Sequence, residues 1–307
     1  MHGSAPQIAL LPDKRRLHLN HGPIDLIVEG FGEPAQVAAA YRQAATRFRT
    51  ILDELVAELP ALRRAIVAGD AESGFTGPVA RRMARAVAPH HPAYVTPMAA
   101  VAGAVADEVL AAMLRGRRLM RAYANNGGDI ALHLAPGQDF AAGVVARPDR
   151  PTPLGSFRIG HAMPVRGIAT SGQGGRSLSL GIADAVTVLA VDAAAADAAA
   201  TLIGNAVNVD HAAIRRMPAR QLDPDSDLGN LPVTVSVGRL EADAVAEALD
   251  AGLAAARAMR EQGLIHAAVL ALAGEIRVEG EGLAAIAPTG VAREGTWSKS
   301  GSARSSP

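Results

Sequence analysis

The 307-residue chain contains no cysteine. Disulfides, thiolate nucleophiles and Cys-ligated zinc or iron–sulfur centres are therefore excluded. Lysine is nearly missing as well, with Lys14 and Lys299 in the two terminal regions. This excludes a Schiff-base or phosphate-loop lysine from the middle of the chain. Arginine carries almost all the positive charge, which suits bidentate contacts to phosphate or carboxylate, although a GC-rich genome produces the same bias. Aromatics make up 3% of the chain while hydrophobic residues reach 49%. The core must then be built from Ala, Val, Leu and Ile, with helices packed closely on alanine faces. The formal net charge is zero, so no global field draws the protein to nucleic acid or to an anionic membrane. No signal-peptide core and no run of roughly 18 uninterrupted apolar residues is present. The expectation is a soluble, cytoplasmic protein with a small-molecule ligand. The alanine-rich faces leave open whether they bury in one core or between subunits of a homo-oligomer.

The apolar pattern alternates between strand and helix periods. Leu17, Leu19, Ile24, Leu26 and Val28 around Gly22-Pro23 predict a β-hairpin with one buried face. Val37, Tyr41, Phe48, Leu52, Leu55 and Leu59 predict a long helix from Pro34, stopped by Pro60. A short helix follows around Met83. Tyr94-Val95 reads as a short strand, and Thr96-Pro97 as the N-cap and first turn of a second helix through Met113. Strands are expected at 121–124, 130–134, 140–146, 165–170, 177–180, 186–190 and 233–237. Helices are expected at 193–207 and 242–262, and a final strand or hairpin at 267–278. Intermingled helices and hairpins favour an α+β fold with mixed or antiparallel sheets. The organisation expected is a flexible N-terminus over 1–14, one domain over 15–283, and a disordered tail over 284–307.

Three segments offer polar chemistry. Asn125-Asn126-Gly127-Gly128-Asp129 lies between two strand-like runs, where two glycines allow a ligand close to the backbone. It is equally ordinary hairpin-turn chemistry. Thr170-Ser171-Gly172-Gln173-Gly174-Gly175-Arg176 is either a backbone nest for an anion or a flexible loop. Asp197 and Thr201 stand at i and i+4 on one helix face. That oxygen pair suits Mg²⁺; the same spacing is also that of a solvated Asp and a Thr bonded to the helix backbone, with no metal. Asp223-Pro224-Asp225-Ser226-Asp227 lacks the rest of a calcium-loop spacing and reads as a solvated turn or helix cap. The histidines form no HExxH pattern, and no GxSxG elbow is present.

Taken in order, Gly127-Gly128-Asp129, Ile168-Ala169-Thr170-Ser171-Gly172 and Ala196-Asp197 with Ala200-Thr201 resemble the ApbE-like superfamily. That superfamily includes FAD-dependent FMN transferases, which attach flavin to protein threonines or serines. The resemblance spans about residues 15–280 and is closer to a UPF-type branch than to the transferases. It implies a T-fold-like α+β architecture. It also implies FAD or FMN near Asn126, Gly127, Gly128, Asp129, Thr170, Ser171 and Gly172. Mg²⁺ would be held by Asp197, Thr201 and the main-chain carbonyl of Ala102, the nearest match to an Ala-Lys-Gly segment. The lysine of that segment is missing here, and so is the transferase loop expected after Leu180. The function implied is Mg-dependent flavin-nucleotide binding, FMN transfer or cleavage of the FAD pyrophosphate, with Arg166 and Arg176 clamping phosphate oxygens. The alternatives are a flavin- or nucleotide-binding accessory protein without transferase chemistry, and an enzyme of sulfur or one-carbon metabolism reusing the cleft.

Overall fold

The chain enters its main sheet through β1 (Gln7–Leu10), which pairs antiparallel with β2 (Leu17–His21). The structure, a computed structural model, describes residues 5–67, 74–145, 153–175 and 177–281. β1 lies inside the stretch expected to be a flexible terminus, and the expected tail over 284–307 lies outside the described residues. β2 and β3 (Ile24–Phe31) form the predicted hairpin, with Leu19, Leu26 and Val28 fully buried on one face.

Helix α1 (Pro34–Leu62) follows, capped by the Glu33 carboxylate, which accepts from the Ala35 and Gln36 amides. It continues two residues beyond Pro60, the predicted stop. A proline near a helix end forfeits little when the turn it disrupts is already the last one. α2 (Pro78–Val87) and α3 (Val101–Leu114) complete a helical layer over the sheet. Pro97–Leu114 is long and apolar enough to cross a membrane by length and composition, but 61% of that window is buried inside the fold. It is a core helix, packed on α1, α2 and the later helix over 193–206.

β4 (Arg121–Asn126) and β5 (Asp129–Leu134) form a tight hairpin, and β6 (Asp139–Val145) with β7 (Pro153–Gly160) form a separate antiparallel ribbon. β8 (Gly167–Ser171), β9 (Ala185–Ala190), α4 (Ala193–Ala206), β10 (Ile214–Pro218), the one-turn α5 (Ala219–Leu222), β11 (Pro232–Val237), α6 (Ala242–Glu261), β12 (Ala267–Leu272) and β13 (Glu275–Glu279) follow in order. The main sheet runs β1-β2-β3-β4-β5-β8-β9-β12-β13, and every adjacent pair is antiparallel. The expected α+β class, with antiparallel sheets and packed helices, is what the structure has.

The sheet buries both faces along its centre. All six residues of β12 are buried. Ala268, Leu270 and Leu272 join the core under α4 and α6, while Ala267, Val269 and Ala271 join the core on the opposite face with Phe157 and Ile159 of β7. The period-2 alternation of a strand thus serves two cores at once. A third cluster fills the space between α1, α2, α3 and the first hairpin, with Phe48, Ile51, Met83 and Met113 fully buried.

Two expected strands are absent. At 94–95 the chain is held by loop contacts instead of a ladder, with the Val95 carbonyl accepting from the Ile66 amide. At 177–180 the backbone groups turn to other elements. The Leu180 amide donates to Asn205 Oδ1 at 3.0 Å, and the Ser179 carbonyl accepts from the Thr234 amide.

Candidate functional site

Backbone geometry places the first part of the site. The β4–β5 register pairs Asn126 with Asp129, so Gly127 and Gly128 form the whole turn. Their φ angles are +65° and +115°, conformations that side-chain-bearing residues rarely adopt. The Gly128 amide donates to Asn125 Oδ1 at 2.8 Å, closing the turn. Beyond it, Asp129 Oδ1 accepts from the Thr170 amide at 3.2 Å, tying the turn to the end of β8. Asn126 is buried, and its Nδ2 donates to the Ala102 carbonyl at 3.1 Å.

The second part comes from the contact between α3 and α4. The Gly103 amide, in the first turn of α3, donates to Asp197 Oδ2 at 3.0 Å. In return, Asp107 on α3 accepts from the first amides of α4, Ala193 at 3.1 Å and Ala194 at 2.9 Å. The helices approach so closely that a Cβ on Gly103 would lie 2.1 Å from the Ala193 carbonyl oxygen. Each helix therefore caps the other's N-terminus with a carboxylate, satisfying amides that no helix can satisfy internally.

These parts meet in a cleft of about 650 Å³. It is lined by Ala102, Asn126, Gly127, Asp129, Thr170, Ser171, Gly172, Asp197 and Thr201. Ten of the twelve residues the sequence singles out are thus brought together or sit at this turn, Gly128 adjoining Gly127. The other two are the arginines. Arg166 does not reach the cleft. It precedes β8 at the end opposite Ser171, and its guanidinium donates to the carbonyls of Met163, Val165 and His161. It is held by the loop at 161–165, and the strand length separates it from the Thr170–Gly172 turn by about 15 Å. Arg176 lies outside the described residues.

Asp197 keeps only a partial opening to the cleft. Its burial pushes the carboxyl well above the ordinary carboxylate range, and the neighbouring Asp129 charge pushes it further. The Gly103 and Ala102 amides pull in the other direction without overcoming this. A carboxylate that is costly to ionise beside a second carboxylate is one that a cation would stabilise. Asp197, Asp129 and the Thr201 hydroxyl are hard oxygen donors of the kind Mg²⁺ takes. The donor set is small: among the described residues no group of three or more His, Cys, Asp or Glu is positioned to hold a metal. The Ala102 carbonyl is already engaged by Asn126.

The sequence reading missed the other wall. Asp223, Asp225 and Asp227 line the same cleft, although their turn read as solvated. Thr96 Oγ1 donates to the Asp227 carboxylate, and the Tyr94 hydroxyl donates to the Asp227 carbonyl at 2.9 Å. Thr96 does precede a helical turn, as predicted, but makes no side-chain cap there, because its hydroxyl goes to Asp227. Asn205 also lines the cleft. Its signal was present in the sequence: Asp197, Thr201 and Asn205 recur at i, i+4 and i+8 along an otherwise alanine-rich helix.

The fold and site define an α+β protein whose cleft sets oxygen donors beside glycine-containing turns. Residues 8–278 match the family model described as AbpE bacteria, and the chain belongs to that family. It is similar to a UPF0280 protein from Methanothrix thermoacetophila, 34% identical over 62% of this chain and 76% of that protein. A UPF0280 protein from Methanopyrus kandleri is 40% identical over 55% of this chain and 66% of its own length. A third, from Methanocaldococcus jannaschii, is 43% identical over 37% of this chain, spanning about half of that relative at 46%. Among solved structures, a mutant of the flavin transferase ApbE from Vibrio cholerae is similar at 14% identity and a TM-score of 0.35, over 86% of this chain and 96% of that one.

Proposed function

We propose that the cleft binds a flavin nucleotide together with a divalent cation such as Mg²⁺, and acts on the phosphoanhydride of FAD. The observation that carries this is the convergence of Asp197, Asp129 and Thr201 beside the Gly127-Gly128 and Thr170–Gly172 turns in one cleft. The ApbE-like motifs supply the ligand class.

Asp197 and Thr201 would hold the cation, which supplies Lewis-acid stabilisation of charge on phosphate oxygens. Gly127 and Gly128 leave the backbone open to close approach by a pyrophosphate, and no atom of the described residues stands within 4 Å of the place a Cβ on Gly128 would take. Asp129, fixed by the Thr170 amide, adds the second negative charge that offsets the cation. Attack on the FMN phosphorus by water or an acceptor hydroxyl forms one P–O bond and breaks the anhydride P–O bond. AMP leaves with the electron pair, and the nucleophile's proton passes to solvent. Burial at Asp197 keeps competing water from one side of the carboxylate.

A second reading, binding without transfer, is favoured by the lining itself. Among its described residues are no histidine and no lysine, and Arg63 is the cationic side chain present.

Incubating the purified protein with FAD and Mg²⁺ and separating the products by chromatography tests both. FMN and AMP released in equal amounts, dependent on Mg²⁺ and lost in Asp197→Ala, support the first. Calorimetric binding of FAD without products selects the second. No FAD binding with or without Mg²⁺ sinks both.

A further inference from the structure

We infer that Asp107 is a positioning residue for the cation-binding carboxylate: by gripping the first amides of α4 it sets that helix against α3 and aims Asp197 into the cleft. This rests on the proposed role of Asp197 and extends it to a residue that does not line the cleft.

The argument is geometric. Gly103 and Asp107 are one turn apart on α3, and Ala193 and Asp197 are one turn apart on α4. Gly103 meets Asp197, and Asp107 meets Ala193 and Ala194. The two contacts run in opposite order along the two helices, so they fix both the sliding and the rotation of one helix on the other. Ala196, Ala199, Ala200 and Ile203 seat the buried face of α4 against β8, β9 and α6, and the two polar contacts set its N-terminal turn against α3. The missing Cβ of Gly103 allows this approach, since the Ala193 carbonyl oxygen occupies the place it would take.

The α4 N-terminus also has its own cap. Asp192 Oδ1 accepts from the Ala195 amide at 2.8 Å. Asp107 is therefore not needed merely to begin the helix. It takes the two amides that Asp192 leaves, and it does so from the neighbouring helix. Its function is placement: a shift of α4 by a fraction of an ångström would move Asp197 relative to Asp129, and cation affinity depends on such distances.

The test uses the full chain with Mn²⁺ as probe, free Mn²⁺ being read by electron paramagnetic resonance. Amide hydrogen exchange is followed over residues 193–201 in the same samples. Wild type, Asp107→Asn, Asp107→Ala and Asp197→Ala are compared, with Asp243→Ala as an exposed control in α6. Asp107→Ala is expected to speed exchange over 193–201 and to weaken Mn²⁺ binding by about tenfold or more, the usual loss when a supporting partner is removed. Asp107→Asn, which keeps one acceptor oxygen, is expected to fall between it and wild type. Should Asp107→Ala fail to fold, Asp107→Asn carries the same comparison. Faster exchange with wild-type Mn²⁺ affinity in the Asp107 variants, while Asp197→Ala loses binding, overturns the positioning role and leaves the cleft reading intact. Unchanged exchange over 193–201 overturns it as well. Mn²⁺ binding that is equal in wild type and Asp197→Ala removes the cation reading, and this inference with it.

Discussion

The Gly103 amide and the Asp197 carboxylate, 94 residues apart in sequence, meet at 3.0 Å where α3 and α4 cross. This bond places the main candidate cation ligand at the N-terminal turn of a helix that is not its own. The positive end of that helix favours the ionised carboxylate, while burial and Asp129 disfavour it. The balance falls on the side of a raised carboxyl, and it can be shifted by a cation or by substitution.

Asp197→Asn is expected to raise the thermal midpoint in metal-free buffer, by an amount corresponding to about 1 kcal/mol, because it removes a desolvated charge beside Asp129. Wild type is expected to gain stability with added Mg²⁺, by roughly 2.7 kcal/mol at a hundredfold excess over Kd. The variant should gain none. Differential scanning fluorimetry across a Mg²⁺ series checks this, and an equal shift in both proteins contradicts it.

Gly103→Ala is expected to destabilise the protein by roughly 1–3 kcal/mol, the usual cost of overpacking a tight contact. Its Cβ has backbone on the far side, and backbone cannot rotate away. The relevant distance is 2.1 Å to the Ala193 carbonyl oxygen. Urea denaturation measures the loss; a neutral result would show that α3 and α4 are less closely seated than described.

Acidification should affect Asp107 in a definite direction. Burial, with the Asp192 charge, lifts its carboxyl from 3.8 to about 7, although the Ala194 and Ala193 amides and Arg82 oppose the shift. A group raised on folding binds more protons in the folded chain between those two values. Its contribution to stability is therefore highest at low pH and declines as pH rises from about 4 to about 7. In metal-free buffer, the stability of wild type relative to Asp107→Asn should increase as pH is lowered through that window. Urea midpoints of both proteins across the range test it; parallel curves would show that Asp107 does not titrate there.

Thr96→Val keeps shape but removes the hydroxyl that donates to Asp227. Thr96 is 2% exposed, so the loss should cost about 1–2 kcal/mol. It should also raise hydrogen exchange in residues 223–229 while leaving α1 unchanged. A uniform rise across the chain would mean that the bond serves general stability instead of holding this loop.

The helices and central strands were legible in the sequence because their periodicity is local. Leu19, Leu26 and Val28 alternate because one side of a hairpin is buried, and the α1 pattern repeats every turn for the same reason. The Gly127-Gly128 turn was legible because only glycine tolerates both of its backbone conformations. The strands expected at 94–95 and 177–180 failed because their apolar character reflects packing against loops and α4, which alternation does not distinguish from pairing. Arg166 was misplaced for a related reason. An arginine near a glycine-rich loop suggests phosphate, but its position before β8 put its guanidinium among three carbonyls at the far end of the strand.

By itself, then, the sequence determined the α+β class and the chemistry excluded by absent cysteine and scarce lysine, and it singled out Asp197 and Thr201 as candidate cation ligands beside Asp129 and Thr170. Its shortage of aromatics also dictated helices packed closely on alanine faces. Tertiary structure alone decided that Asp107 reaches Ala193 and that Asp223–Asp227 faces the cleft beside Thr96. Those contacts join residues 86 and 131 positions apart. No local spacing encodes them, because they arise only when an antiparallel sheet brings the ends of separate helices and loops to one side.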